Sequence, residues 1–293
     1  MEYRTDLALE ANELQEHSID GTSLQQRKEG ELTITSLRID TRKASCLLEK
    51  PVGEYITIEG LRLTDSFRDG REAIEACASE LKRLLPADGQ VLVAGLGNSA
   101  ITPDALGPES IKHVLATRHI GGELAKSSGL DRLRPVSVIA PGVLGQTGME
   151  AGEILSSLVK SFHPCAVIVI DALAAKAPSR LGCTVQLSTG GIAPGSGVGN
   201  HRLPIDSRLL GVPVIAMGVP TVVDAAALAL DLWERSGRRV ESMPSLPEES
   251  RRMMVTPRET DIMIQRAARL TGMAVNCALQ CAYDFDTLAE LVA

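Results

Sequence analysis

Two aspartates, Asp104 and Asp171, stand where a carboxyl group can move protons. Asp104 lies in Thr102-Pro-Asp-Ala-Leu-Gly-Pro108. With Thr102 as N-cap and Pro103 at the first helical position, it falls at the second, where the helix dipole favours its ionised form. Asp171 follows the apolar run Ala166-Val-Ile-Val-Ile170 and is expected to end a buried strand. Desolvation there raises a carboxyl pKa unless something pairs with it. Two carboxyls pushed in opposite directions supply an acid and a base at one pH. Each has a plainer reading: a helix-start carboxylate for Asp104, which weighs more on the residues alone, and a turn cap for Asp171.

Glycine-rich loops could serve such a pair. Pro141-Gly-Val-Leu-Gly-Gln-Thr-Gly148 and Gly190-Gly-Ile-Ala-Pro-Gly-Ser-Gly-Val-Gly-Asn-His-Arg202 are too rich in glycine for regular elements. Backbone N–H groups at Gly142, Gly145, Gly195, Gly197 and Gly199 are candidates for binding a developing oxyanion, and His201 for polarising a carbonyl. Tight connections and a surface basic pair are the bland alternatives. Lys176, just past Asp171, reads as a solvated lysine or a base.

Other chemistries find little support. Gly95-x-Gly97-x-x-Ala100 imitates a dinucleotide fingerprint, but Thr102-Pro103 delays the helix past the glycines. Ser196 lies in Pro-Gly-Ser-Gly, which is not a nucleophile elbow. HExxH is absent and the five histidines are scattered. Thr221-Val-Val-Asp224 reads as an N-cap followed by an acidic third helical residue, structural before functional.

The elements that must position these residues are legible as uninterrupted apolar runs at 91–95, 136–140, 166–170 and 213–217. Runs of this kind fit strands covered on both faces. Helical patterns cover 71–85, 105–118, 150–162 and 222–235, and a capping box at Thr256-Pro-Arg-Glu259 predicts a last helix. Segments 31–39 and 54–58 alternate as half-buried strands do, and 183–187 adds another strand. Met1 to Arg27 holds no clear periodic segment. This alternation predicts an α/β fold with three layers, α/β/α, around a central, mostly parallel sheet in one domain.

Composition narrows the partners. Aromatics make up 2% of the 293 residues, so base-stacking platforms are not expected. The net charge of −7 disfavours direct nucleic-acid binding. Cys46, Cys77, Cys165, Cys183, Cys277 and Cys281 form no CxxC pair, and Cys277 and Cys281 share one face of a helix. No signal peptide or bilayer-length apolar run is evident, so a soluble, reduced, cytoplasmic protein without membrane partners is expected.

Several blocks together resemble the germination proteases of spore-forming bacteria. They are Arg4-Thr-Asp-Leu-Ala8, Gly95-Leu-Gly-Asn98 with Thr102–Pro108, Arg134-Pro-Val-Ser137, Pro141-Gly-Val143 and Ile170-Asp-Ala-Leu-Ala-Ala175. Pro194-Gly-Ser-Gly-Val-Gly-Asn200, Pro220–Ala225 and Met254-Val-Thr-Pro257 complete the series, in the family's order and over nearly the whole chain. The resemblance implies a homotetrameric endopeptidase of the spore core that degrades small acid-soluble spore proteins at germination. It implies a fold similar to hydrogenase-maturation endopeptidases, and the acid pair Asp104 and Asp171 as catalytic groups. It also implies a zymogen that cuts itself at an acidic residue followed by an apolar one, then Ala and a nearby Glu. Thr5-Asp-Leu-Ala-Leu-Glu10 fits, so cleavage is expected between Asp6 and Leu7, with residues 1–6 as propeptide and 7–293 as the protease domain. No cofactor is expected. The alternatives are a metal-dependent protease with an ion at the acidic pair, for which no convincing third ligand is evident, and a non-hydrolytic nucleotide- or peptide-binding protein. The pre-cleavage segment and the region between Trp233 and Met254 are shorter than is usual in the family.

Overall fold

The computed structural model describes residues 5–15, 17–121, 126–127, 129–195, 202–237 and 253–292. The chain opens with a short helix α1 (Ala8–Glu13), then strands β1 (Thr22–Glu29) and β2 (Leu32–Ile39). Helix α2 (Arg42–Leu48), strand β3 (Gly53–Glu59) and helix α3 (Arg71–Leu84) follow. The next stretch holds β4 (Val91–Gly95), α4 (Leu106–Ser110), β5 (Val136–Ile139), α5 (Leu144–Thr147) and α6 (Ala151–Phe162). The two longest strands are β6 (Ala166–Ala175) and, after β7 (Thr184–Ser188) and α7 (Ser207–Leu210), β8 (Val214–Asp224). Helix α8 (Ala225–Arg235), strand β9 (Met254–Val255), helix α9 (Thr260–Leu279) and helix α10 (Phe285–Val292) close the chain.

All the strands join one sheet in the order β1-β2-β3-β7-β8-β6-β4-β5, with β9 against β8. The apolar runs predicted as parallel strands are its β8-β6-β4-β5 half, and every pairing there is parallel. From β7 outward the pairings are antiparallel, so the sheet as a whole is mixed. Alternate residues face opposite layers, as the two-residue strand period requires. Val91, Val93, Ile168 and Ile170 pack with α3 and α9, while Leu92, Ala94, Val167 and Val169 pack with α6 and α7. The helix–sheet–helix layering therefore follows from strands that are apolar on both faces.

Four expectations shift. β6 and β8 run well past the residues where their apolar runs end, to Ala175 and Asp224. Asp171 thus lies within a strand, paired with Gly218. Thr221 is likewise in a strand, and Asp224 caps α8 instead, its Oδ1 accepting from the N–H groups of Ala226 and Ala227. The predicted 105–118 helix tightens into a 3-10 turn at Ile111–His113 and ends there, where Asn276 on α9 takes over two of its backbone groups. Its Oδ1 accepts from the Leu115 N–H at 2.9 Å and its Nδ2 donates to the His113 carbonyl at 2.7 Å. The last long helix begins at Thr260, without the expected capping box, because Met254–Val255 is drawn out to pair with β8.

The N-terminal region is more ordered than its pattern suggests. Leu7, Ala8, Leu9 and Ala11 are buried, but six helical residues are too few to display a period. β1 exposes nearly all its side chains, so nothing alternates. Among the described residues no helix is long and apolar enough to cross a membrane.

The crossing of β4 and α4 sets the site's floor. A Cβ on Gly107 would lie 2.2 Å from the Leu96 carbonyl oxygen and 2.5 Å from that of Ile170. Gly107→Ala is expected to destabilise the protein by about 2 kcal/mol or more through backbone overpacking. Gly145→Ala, which meets nothing within 4 Å, should stay within about 0.5 kcal/mol. Paired urea denaturations check the contrast.

Candidate active site

Asp104 ends a single 3-10 turn, Thr102–Asp104, between β4 and α4. Its Oδ2 accepts the Asn98 N–H at 2.7 Å, which folds the 96–104 loop onto the carboxylate. Gly97 makes this approach possible: its φ is +113°, and a Cβ there would stand 2.0 Å from the Asp104 carbonyl oxygen. From the far side, Thr221 on β8 donates its hydroxyl to the Pro103 carbonyl at 2.8 Å. Thr221 therefore holds the turn that carries Asp104, a role invisible in its sequence setting.

Asp171 projects from β6 on the α6 side of the sheet, by the same alternation that puts Val167 and Val169 there. It is 5% exposed, and its Oδ1 accepts the Ala172 N–H at 2.9 Å. Burial pushes its pKa well above the usual carboxylate value, and the charges of Asp104 and Asp6 push the same way. Asp104 is also raised, by burial, against the lowering effect of the Asn98 N–H. The two were expected to move in opposite directions. A three-residue 3-10 turn supplies too little aligned dipole to offset desolvation at Asp104. The asymmetry survives in degree, since Asp171 carries the much larger rise.

Both aspartates line one cavity of about 520 Å³ at the carboxyl ends of the parallel strands. That is where open α/β sheets place ligands. Gly142, Gly145 and Gly195 border it, as do Arg202 and Glu150. Gly197, Gly199 and His201 lie outside the described residues. Among the described residues no group of three or more His, Cys, Asp or Glu side chains is arranged to hold a metal ion.

Asp6 lines the same cavity. Asp6 is tied to β6 by two bonds to Ala174, its own N–H to the carbonyl at 2.8 Å and its Oδ2 from the N–H at 2.8 Å. Leu7 beside it is 0% exposed, packed among Leu173, Ala175, Val223 and Ala227. Gln186 on β7 spans the junction of the two residues. Its Nε2 donates to the Asp6 carbonyl at 3.2 Å and its Oε1 accepts the Ala8 N–H at 2.7 Å. The Lys50 ammonium donates to the Thr5 carbonyl at 2.7 Å, its pKa lowered by burial against the opposing pull of Asp6, Glu49 and Glu10. Gln186 and Lys50 carry no motif, and the motif that holds Thr221 gave it a different role. Only their register and the chain's path reveal them.

Two unequally perturbed carboxyls thus share one cavity with Asp6. Comparison with known proteins agrees in class. A family model described as "Germination protease" matches residues 3–235. A protein named Germination protease from Caldanaerobacter subterraneus subsp. tengcongensis is 43% identical, covering 94% of each chain. One from Clostridium perfringens is 37% identical over 94% of this chain and 95% of its own. A third, from Priestia megaterium, is 34% identical over 94% and 93%. Among solved structures, the [NiFe] hydrogenase maturation protease HycI from Thermococcus kodakarensis aligns with a TM-score of 0.38 at 16% identity, covering 73% of this chain and 98% of its own.

A carboxyl whose pKa is raised on folding favours the fold while protonated. That contribution is complete below its unfolded pKa and is lost as pH rises through the folded value. Asp171→Asn should therefore be more stable than the parent at pH 8, by about 1.4 kcal/mol for each unit of the rise. At pH 4 the two should differ little. Thermal melts across this range check the sign, and equal destabilisation at both ends would contradict a buried, proton-holding Asp171.

Proposed function

The chain belongs to the germination protease family, and on that premise we propose that it is a self-processing endopeptidase whose first substrate is its own Asp6–Leu7 bond. One observation carries this reading: Asp6 lines the same cavity as Asp104 and Asp171, with its carbonyl oxygen engaged by Gln186. Residues 1–6 are the propeptide and 7–293 the protease domain. The later substrates are small acid-soluble spore proteins, met in the spore core by a homotetramer of this chain.

In the reaction, Asp104 as carboxylate takes a proton from water, whose oxygen attacks the Asp6 carbonyl carbon. The carbonyl oxygen gains negative charge, and the Gln186 amide is oriented to donate to it. Backbone N–H groups at Gly142, Gly145 and Gly195, which line the cavity, are further candidates for the same charge; Gly197, Gly199 and His201 lie outside the described residues. Asp171, protonated, then gives its proton to the Leu7 nitrogen as the C–N bond breaks. The products are a carboxyl group on Asp6 and an amine on Leu7. One water has been consumed, and a proton passing from Asp104 to Asp171 restores the pair. The larger upward push on Asp171 supports its assignment as the acid, and the weaker one on Asp104 its role as base. As a strongly coupled pair the two titrate together.

Asp104→Asn and Asp171→Asn should each slow processing by about 10²-fold or more. Mass spectrometry of protein held under mildly acidic, dehydrating conditions reads the result as the fraction bearing N-terminal Leu7. Undiminished processing in folded variants, or an unchanged N-terminus in the parent, refutes the reading. Extensive chelation should leave the rate unaltered. A rate lost on chelation and restored by added metal would favour the metal-dependent alternative. Incubation with a purified acid-soluble spore protein should yield fragments that begin after Glu or Asp.

A further inference from the structure

Gln186 sits in the interior of β7, paired with Thr57 on β3 and Gly218 on β8, and is 6% exposed. A side-chain amide fixed at that depth needs partners for its donor and its acceptor alike. Both of its assigned bonds go to the main chain of the N-terminal segment. Nε2 donates to the Asp6 carbonyl at 3.2 Å and Oε1 accepts the Ala8 N–H at 2.7 Å. These two groups straddle the Asp6–Leu7 bond. Leu7 between them is extended, with φ −76° and ψ 119°. In an extended chain the carbonyl of one residue and the N–H two residues on point to the same side. One amide can therefore meet both, as a residue of a neighbouring strand would.

The other anchors of the segment take other groups. Before the cut, Ala174 bonds the Asp6 N–H and carboxylate, and Lys50 donates to the Thr5 carbonyl. Glu10 is held through its side chain, by the N–H groups of Lys176 and Ala177 and by Arg180. Beyond the cut, the Leu7 N–H turns to the Thr5 hydroxyl of the segment itself. The Ala8 N–H is the first main-chain group past the bond to reach the body of the protein. Gln186 thus ties the main chain on the leaving side to the main chain on the acyl side.

We propose that Gln186 is a specificity-determining residue that reads the substrate's main chain, accepting an extended peptide with a donating N–H at the second residue beyond the cut. A proline at that position, which has no N–H, is refused whatever side chains flank the bond. The inference rests on Asp6–Leu7 being the bond that is cut. A substrate without the N–H would leave Oε1 buried and unpaired. A site built around a hydrogen bond discriminates strongly against the analogue that cannot make it.

The test replaces Ala8 by lactate in the full-length chain, which exchanges the N–H for an ester oxygen and keeps the methyl side chain. Combining this change with Gln186→Met, which fills similar space without hydrogen bonds, closes a double-mutant cycle. Gln186→Leu stands in should the Met variant fail to fold. Mass spectrometry reads the rate at which N-terminal Leu7 appears, and thermal melts of unprocessed samples read the contact itself. With Gln186 in place the lactate should slow processing by about tenfold or more, and in Gln186→Met by less than about threefold. Gln186→Glu keeps an acceptor for the N–H, so the larger penalty should persist there. A lactate penalty equal in every background, or none with Gln186 present, would overturn the assignment. Non-additive melts with no cut in any chain would uphold the main-chain contact while removing the proposed hydrolysis. Undiminished cutting with additive rates would do the reverse, so the two failures are separable.

Discussion

A carboxyl group buried on a sheet face, with two other acidic groups near it and no cation on its own oxygen among its assigned partners, is the constraint around which this molecule is arranged. Asp171 gains a single backbone N–H from Ala172, far too little to offset the loss of water around a charge. It is relieved by keeping its proton. Asp104 and Asp6 then add their charges to the same effect, so the three acids do not destabilise one another equally. Extending β6 beyond its apolar run is what puts a carboxyl at this depth, and the neighbouring β8 matches that extension residue for residue apart from one bulge.

The surrounding structure keeps the pair apart in character and close in space. Gly97 and Gly107 let β4, its loop and α4 approach at backbone contact, and Thr221 ties the Asp104 turn to β8. Asp104 and Asp171 thereby sit on two elements that are locked to a third. A turn fixed at both ends resists displacement of Asp104 better than a loop end would.

The antiparallel half of the sheet has its own part in the site. β3 and β7 are remote from both aspartates in sequence, yet β7 supplies Gln186 and β3 supplies Glu59 behind Arg180. Lys50 comes from the end of α2. This extension forms the wall against which residues 5–13 are laid. The N-terminal segment is therefore held by side chains chosen from four separate stretches of chain. It buries Leu7 and Glu10 at once, an apolar and an acidic side chain that need opposite surroundings.

The amino-acid sequence by itself determined the α/β class, the parallel strands β4, β5, β6 and β8 in their cores, and the α3 and α6 helices to within a residue. These are written in local periodicity, which one segment's burial on one or both faces imposes whatever its neighbours are. It also singled out Asp104, Asp171 and the Thr5–Glu10 segment, because motifs are contiguous. Only the tertiary structure decided where β6 and β8 end, that Asn276 stops the 105–118 helix early, and that the antiparallel pairings from β7 outward make the sheet mixed. Only it brought Thr221 to the cavity, and Gln186, Lys50 and Arg180 to the segment 5–10 beside it. Strand ends are set by the partner available for pairing, and a lone Gln, Lys or Thr acquires its role from the groups brought opposite it. Neither the partner nor those groups leave any mark on the residues adjacent in the chain.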